Sequence, residues 1–323
     1  MATLLPELQG YQSRTFIYKV VSNLELKPDV MFPLEPGPAA SPVLLHYHGG
    51  FLIIGNCYSL LPYWLIKACV SRNWIFVTAD CRLIPETTAH NSVEDAVDAY
   101  DWVPRRLTGI LNISTGPVIL AGSSAGAYLA LTAASAALTP PRALPLLYGL
   151  LDPTNERYTT KGTNVLGLPP VDSRPVLEAF AFTGDNNAVI LPGHGWPEDL
   201  LSDPRFALIQ TARIEAQISD IMTGVNGISE AIAKHGPDAA ITASEPKLFP
   251  NDAGVPFTIS QLTAEKLKKC GVEVFSEFPD DAQHGFDVLL GLLDLDEATA
   301  QVTITPSIKS LQRVLQFLDL MMQ

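Results

Sequence analysis

Positive charge and long apolar runs are both scarce in this chain of 323 residues, and each scarcity excludes a class of function. Lys and Arg number 21 against 34 Asp and Glu, which gives a formal net charge of −13. Because nucleic acids and anionic membranes are bound by clustered basic side chains, we expect neither as a partner. No apolar run approaches the roughly 20 residues of a membrane-spanning helix. The first residues also lack a basic region followed by an apolar stretch, so we expect no secretory signal.

Cysteine is scarce as well, with only 4 residues, and none of them forms a C-x-x-C pair. Reduced, mostly buried thiols in a cytoplasmic protein are therefore expected. The chain has no G-x-G-x-x-G or P-loop motif, and its His, Cys and acidic residues form no cluster with metal-ligand spacing. We expect no cofactor and no metal ion, and a homodimer remains an open alternative.

Apolar residues, by contrast, are abundant at 47%, which is enough to bury a large core. Between residues 42 and 151 short apolar runs alternate with helical patterns, which predicts a mainly parallel sheet flanked by helices. From about 153 to 249 no buried strand is evident and amphipathic helical stretches follow one another. We interpret 1–152 together with 250–323 as an α/β core, and 153–249 as a helical cap inserted into it.

The strongest local motif is G-x-S-x-G over residues 122–126, with Ser124 at its centre. A buried strand precedes it and an Ala-rich helix follows, which is the context that a nucleophilic serine on a sharp strand-to-helix turn requires. Such a turn lifts the hydroxyl clear of the sheet. It also leaves the N–H of Ala125 free at a helix N-terminus, where it can meet a developing negative charge.

Two further motifs complete a possible hydrolytic site. Gly49 and Gly50 follow a predicted strand, and their N–H groups could form an oxyanion hole together with that of Ala125. His284 lies in the loop after the last predicted strand, from which it can reach back to Ser124 as a general base. The chain order, serine before histidine, is the one that this architecture needs.

Taken together, these motifs resemble the hormone-sensitive-lipase-like esterases of the α/β-hydrolase fold, including members from filamentous fungi. The segment Asp80–Glu86 (DCRLIPE) is similar to that family's D-Y-R-L-x-P-E, with Cys81 in place of tyrosine. The resemblance implies that Ser124 is the nucleophile and His284 the base. The oxyanion donors would be the amides of the Gly-Gly pair and of the residue after the serine.

One part of the family pattern is not evident in the sequence. The family normally has a strand and then a catalytic Asp before the helix that precedes the His-bearing strand. We assign that helix to residues 261–270, with Ser260 as its N-cap, so only residues 257–259 remain for the strand. Three residues extend about 10 Å, too little for a usual strand. The sequence thus predicts that one strand is missing, through a true deletion or an incorrect gene model.

A missing strand would also remove the acid that orients the histidine, so another carboxylate would have to take over that role. Asp152 follows a predicted buried strand and is favoured over Asp252, which reads as a turn residue. Asp280 and Asp281 are near His284 in sequence but are expected to be solvated.

The resulting hypothesis is a serine hydrolase that cleaves an ester of a small apolar molecule. Two alternatives remain open at this point. One is a non-catalytic ligand-binding or catalytically impaired protein on the same scaffold, favoured by the missing acid. The other is a non-hydrolytic enzyme of fungal secondary metabolism that uses the same oxyanion hole.

Overall fold

An eight-stranded sheet forms the centre of the molecule, in a computed structural model that describes residues 8–161, 171–180, 191–214, 240–244, 254–297 and 303–323. Its strands are β1 (Tyr11–Thr15), β4 (Pro28–Pro33), β5 (Ser41–Tyr47), β6 (Ile75–Ala79), β7 (Thr115–Ser123), β8 (Ala143–Leu147), β9 (Ala240–Ser244) and β10 (Val274–Glu277); a separate hairpin joins β2 (Lys19–Val21) and β3 (Leu24–Leu26). The strand order in the sheet is β1-β4-β6-β5-β7-β8-β9-β10. The pairs β1/β4 and β4/β6 are antiparallel, and all other pairs are parallel.

Helices connect most of the parallel strands, as expected for crossover connections in an α/β fold. The described helices are α1 (Tyr63–Ser71), α2 (Ala89–Leu111), α3 (Ala125–Ala136), α4 (Glu156–Thr159), α5 (Ser173–Ala179), α6 (Pro204–Ile214), α7 (Phe257–Lys269) and α8 (Pro306–Met321), with 3₁₀ turns at Leu200–Ser202 and Phe286–Leu290. No helix in the described ranges is both long and apolar enough to cross a bilayer.

The core lies on both faces of the sheet, because the central strands β5, β6 and β8 are buried at almost every position. In β5, Val43 and Leu45 belong to one buried cluster, which also contains residues of α2 and α3. Leu44 between them belongs to a second cluster, with residues of α1 and α8. Alternate side chains of one strand thus enter opposite layers. The predicted α/β sheet flanked by helices is confirmed.

The prediction of a missing strand is wrong. The strand stands at Ala240–Ser244, where β9 pairs in parallel with β8 on one side and β10 on the other, so the sheet is continuous. Residues 257–259 instead begin α7, which starts at Phe257, three residues before the predicted cap at Ser260. The sequence of β9, AITAS, has a single large apolar residue and therefore lacks the apolar run by which the other buried strands were recognised.

This strand lies inside the range 153–249 that the sequence analysis assigns to the cap. The same range contains α4, α5 and α6 and, in its described part, the loops next to them. The division into core and cap stays a prediction. Three of the cysteines, Cys57, Cys69 and Cys81, are buried, all four are free thiols, and Cys270 is exposed.

Candidate active site

Ser124 stands on a sharp turn between β7 and α3. Its backbone has φ 54° and ψ −120°, a conformation that L-residues rarely adopt and that functional sites retain at an energetic cost. The turn is fixed to the neighbouring strand, because the Ser124 N–H donates to the Leu147 carbonyl at 2.8 Å and its own carbonyl accepts from Leu150 N–H at 3.1 Å. These bonds hold the Ser124 side chain at the carboxyl edge of the sheet.

Glycine is required on both sides of this turn. A Cβ on Gly122 would lie 2.1 Å from the Gly126 carbonyl oxygen, and a Cβ on Gly126 would lie 2.1 Å from the Tyr47 carbonyl oxygen. Both distances are far inside van der Waals contact, and both involve backbone that cannot move aside. The G-x-S-x-G spacing is therefore a packing requirement of this site.

His284 lies beside the serine, as predicted. Its Nε2 is 3.1 Å from Ser124 Oγ, within hydrogen-bond distance. The ring packs edge-on against Tyr148, with 4.8 Å between ring centroids. Burial lowers the pKa of His284 to about 4, so the imidazole is neutral at pH 7 and Nε2 can accept a proton.

The loop after β5 brings the predicted oxyanion donors to the same place. A Cβ on Gly49 would lie 3.0 Å from Ser124 Cβ, so the Gly49 backbone is in contact with the serine. Among the described residues, the N–H groups of Gly49, Gly50 and Ala125 donate to no backbone carbonyl in a turn or loop. This is what the predicted role of these amides as oxyanion donors requires.

The two histidines that precede this loop are structural neighbours of the site. His46 Nε2 is 3.0 Å from Ser123 Oγ, and His48 Nδ1 is 2.7 Å from the Gly49 carbonyl oxygen. Burial lowers the pKa of His46 to about 3 and that of His48 to about 4. Within the described ranges, no group of three or more His, Cys, Asp or Glu side chains is placed to hold a metal ion.

The predicted acids are not joined to His284 by any hydrogen bond in the described part of the chain. Asp152 Oδ1 instead accepts from Thr154 N–H at 3.1 Å and from its hydroxyl at 2.6 Å, as a turn residue does. Asp280 and Asp281 are exposed, and Asp281 accepts from Ser307 Oγ at 3.0 Å. Asp252 lies outside the described residues.

The Nδ1 side of the imidazole is where an orienting acid would bind. This nitrogen is buried and has no hydrogen-bond partner among the described residues. A Cβ on Gly254 would lie 2.7 Å from it, so the chain passes directly against the ring at that point. Residues 245–253 therefore connect the carboxyl end of β9 to a point that touches the imidazole.

Sequence reasoning passed over Glu245 because it missed β9. The residue that follows Ser244, the last residue of β9, is Glu245. An acid directly after a strand at the carboxyl edge is the signal that the family pattern calls for, but it is visible only once AITAS is recognised as a strand.

A cavity of about 280 Å³ opens beside Ser124 and His284. Its walls are mostly apolar and come from the loop after β5, from α6 and its approach, and from the turn after His284; they include Phe51, Leu60, Trp196, Phe206, Ile209 and Leu289. An apolar pocket with a few convergent polar groups is typical of a small-molecule site.

Comparison with known proteins agrees with this geometry. A family model described as the alpha/beta hydrolase fold matches residues 44–220, more than half of the chain. The chain belongs to this family. The resemblance to its hormone-sensitive-lipase-like esterases is likewise confirmed.

Curated relatives include proteins of two kinds. The non-reducing polyketide synthase atr1 of Stereocaulon alpinum is 28% identical over 262 residues, 74% of this chain but 10% of that protein. Probable carboxylesterase 7 of Arabidopsis thaliana is 30% identical over 138 residues, 38% of this chain and 41% of the plant protein. The chain thus spans about a tenth of the synthase and about two fifths of the plant protein.

Solved structures with the same fold include esterases. A bacterial heroin esterase superimposes with a TM-score of 0.59 at 20% identity, covering 98% of this chain and 86% of its own. The hyperthermophilic esterase of the archaeon Pyrobaculum calidifontis gives 0.58 at 18% identity, covering 97% and 87%. At this identity the likeness concerns the fold.

Proposed function

We propose that this protein is a serine hydrolase that cleaves carboxylic esters of small apolar molecules, with Ser124 as nucleophile and His284 as general base. The observation that carries the proposal is the 3.1 Å contact between Ser124 Oγ and His284 Nε2. Nucleophile and base within hydrogen-bond reach are the signature of an activated serine.

The chemistry follows from the geometry. His284 Nε2 takes the hydroxyl proton as Ser124 Oγ attacks the ester carbonyl carbon, and the carbonyl oxygen gains the negative charge. The amides of Gly49, Gly50 and Ala125 stabilise that charge. The tetrahedral intermediate then expels the alcohol, which receives the proton from His284. Water attacks the acyl-enzyme by the same route, releasing the carboxylic acid and restoring the serine.

An acid that orients His284 completes this proposal, and we assign that role to Glu245. It follows Ser244, the last residue of β9, which pairs with Leu147 of β8 and Glu277 of β10, the last residues of those strands. A carboxylate there would accept from Nδ1–H, fix the tautomer in which Nε2 is the acceptor, and stabilise the imidazolium. Asp252, two residues before Gly254, is the alternative, and a comparison of Glu245→Gln with Asp252→Asn distinguishes the two acids.

The relatives favour a second candidate for the substrate. Several of them are non-reducing polyketide synthases, which raises a polyketide acyl group, held as an oxygen ester or a thioester, as the molecule that is cleaved. The same serine chemistry applies to both. Parallel assays with a p-nitrophenyl ester and a matched N-acetylcysteamine thioester distinguish them by their kcat/KM ratio.

The decisive test uses p-nitrophenyl butyrate and a fluorophosphonate probe on the wild type and on Ser124→Ala. We expect hydrolysis and probe labelling in the wild type and neither in the variant. Ser135→Ala is the matched control, because Ser135 Oγ donates to the Thr132 carbonyl within α3, away from the cavity. Labelling without hydrolysis of any ester would favour the non-hydrolytic enzyme, and absence of both in the wild type would favour the binding protein.

A further inference from the structure

The loop that carries the oxyanion donors holds an unusual backbone. Gly50, Phe51 and Leu52 all have positive φ, of 104°, 57° and 62°. The Gly50 carbonyl accepts from both Ile53 N–H and Ile54 N–H, each at 3.0 Å. Left-handed backbone at two successive non-glycine residues costs free energy and persists only where the surroundings fix it. Contacts with neighbouring residues must therefore stabilise this loop conformation.

The side chain of Arg205, on the first turn of α6, donates hydrogen bonds to backbone carbonyls in this loop and in the segment beside it. It is 4% exposed, and its Nη1 donates to the Ile53 carbonyl at 2.7 Å and to the Ile84 carbonyl at 2.8 Å. Its Nη2 forms a salt bridge with Glu86. One guanidinium thus donates to two buried carbonyls. A third hydrogen bond, from Ile84 N–H to the Leu52 carbonyl at 2.8 Å, joins the same two segments directly.

A second connection joins the end of the same loop to the start of α6. Gly55 and His194 exchange two backbone hydrogen bonds of 2.7 Å each. His194 Nε2 lies 2.9 Å from Asp203 Oδ2, and Asp203 Oδ1 accepts from Arg205 N–H at 2.8 Å. The loop is therefore attached to α6 at two points, and Asp203 links them.

The same helix also forms a wall of the cavity. Phe206, which follows Arg205, and Ile209 one turn later both line the cavity beside Ser124. A shift of α6 would therefore change the acyl pocket and the backbone of the oxyanion loop together.

We propose that Arg205 is a positioning residue, which holds the amides of Gly49 and Gly50 in place for the oxyanion and couples them to the pocket wall on α6. The proposal rests on the proposed hydrolase function. It assigns to Arg205 a role in the transition state that a merely structural arginine would not have.

The test compares Arg205→Lys and Arg205→Ala with the wild type, on p-nitrophenyl butyrate and on a trifluoromethyl ketone that forms an oxyanion at Ser124. Loss of a direct oxyanion donor lowers kcat by about 10²–10³-fold, so we expect about 10- to 100-fold for loss of its support. Ketone affinity should fall in parallel with kcat/KM, whereas KM should change by less than about threefold. Added guanidinium ion should partly restore kcat in Arg205→Ala.

Arg105→Ala is the control, since Arg105 is an exposed arginine of α2 that pairs with Asp101. It should change neither kcat nor the response to guanidinium. If the Arg205 variants unfold at a lower temperature but keep the wild-type kcat and ketone affinity per folded molecule, the inference is wrong and Arg205 is structural. If the wild type itself hydrolyses no ester, it is the proposed function that fails.

Discussion

The two ring nitrogens of His284 lie in surroundings of very different construction. On the Nε2 side, Ser124 is fixed by backbone hydrogen bonds and by two glycines with no room for a side chain. On the Nδ1 side, the ring touches Gly254 and has no hydrogen-bond partner among the described residues. The first half of the site is built from contiguous motifs at strand ends, whereas on the second side Gly254 is the described residue that lies against the ring nitrogen.

In the proposed mechanism the orienting acid has to lie on the Nδ1 side. Of the acids proposed from the sequence, Asp152 accepts a hydrogen bond from the Thr154 hydroxyl, while Asp280 and Asp281 are exposed. The segment 245–253 begins at the carboxyl end of β9 and ends next to Nδ1. A substitution that acts on the Nδ1 side should therefore have the largest effect on turnover, and one on the Nε2 side the next largest.

The largest effect is expected for Glu245→Gln. Loss of the orienting carboxylate costs a serine protease about 10⁴-fold in turnover, and we expect a loss of kcat approaching that size with little change in KM. Asp252→Asn and Asp152→Asn are the matched controls and should retain wild-type kcat. A large loss in Asp252→Asn alone would transfer the role to that residue.

Gly50→Ala should have the next largest effect. At φ +104° a Cβ would lie 2.0 Å from the Ile54 carbonyl oxygen, so the backbone that carries an oxyanion donor has to shift. Removal of one such donor costs about 10²–10³-fold in kcat, and we expect a loss in this range. Gly109→Ala on α2 is the control, because its added methyl meets nothing within 4 Å. Equal kcat in Gly50→Ala and wild type would remove this loop from the mechanism.

That Ser124, His284 and the Gly49–Gly50 loop lie together could be predicted from the sequence, because the signals on the Nε2 side are local. A strand, a glycine, the serine and a helix follow one another within 122–126, and two glycines follow β5 after a single histidine. β9 was missed because AITAS is short and built of small residues, and with it Glu245 was missed. Arg205 was also not recognised, because its partners are backbone carbonyls more than 100 residues away along the chain, for which residue types carry no signal.

The pH profile of kcat/KM offers a test of intermediate size. Burial lowers the pKa of His284 to about 4, and protonated imidazole cannot act as the base, so activity should be lost as pH falls through the pKa. A neighbouring carboxylate raises a histidine pKa by stabilising the charged form. The acidic limb of the wild type should therefore lie at higher pH than that of Glu245→Gln. Coincident limbs would mean that no carboxylate at position 245 acts on His284.

Tyr148→Phe is expected to have the smallest effect on activity. It distinguishes packing of the Tyr148 ring against the imidazole from an effect of the Tyr148 hydroxyl on the protonation of His284. The Tyr148 hydroxyl donates to Asp287 Oδ1 at 2.7 Å, and Asp287 is fully buried and also accepts from Trp64 Nε1 at 2.9 Å. The substitution leaves the ring against His284 but removes one donor to a buried carboxyl group. We expect the free energy of unfolding in urea to fall by about 1–3 kcal/mol while kcat stays near the wild-type value.

The matched control for that substitution is Tyr63→Phe, on α1, whose hydroxyl makes no hydrogen bond within the described part of the chain and which should lose little stability. A fall in kcat for Tyr148→Phe as large as that of Glu245→Gln would contradict the division drawn between the two sides of the ring. It would mean that the pair of Tyr148 and Asp287, and not an acid from 245–253, governs the protonation of His284. A stability loss without a kinetic one would assign this pair to holding the turn after His284 against α1 and the end of β8.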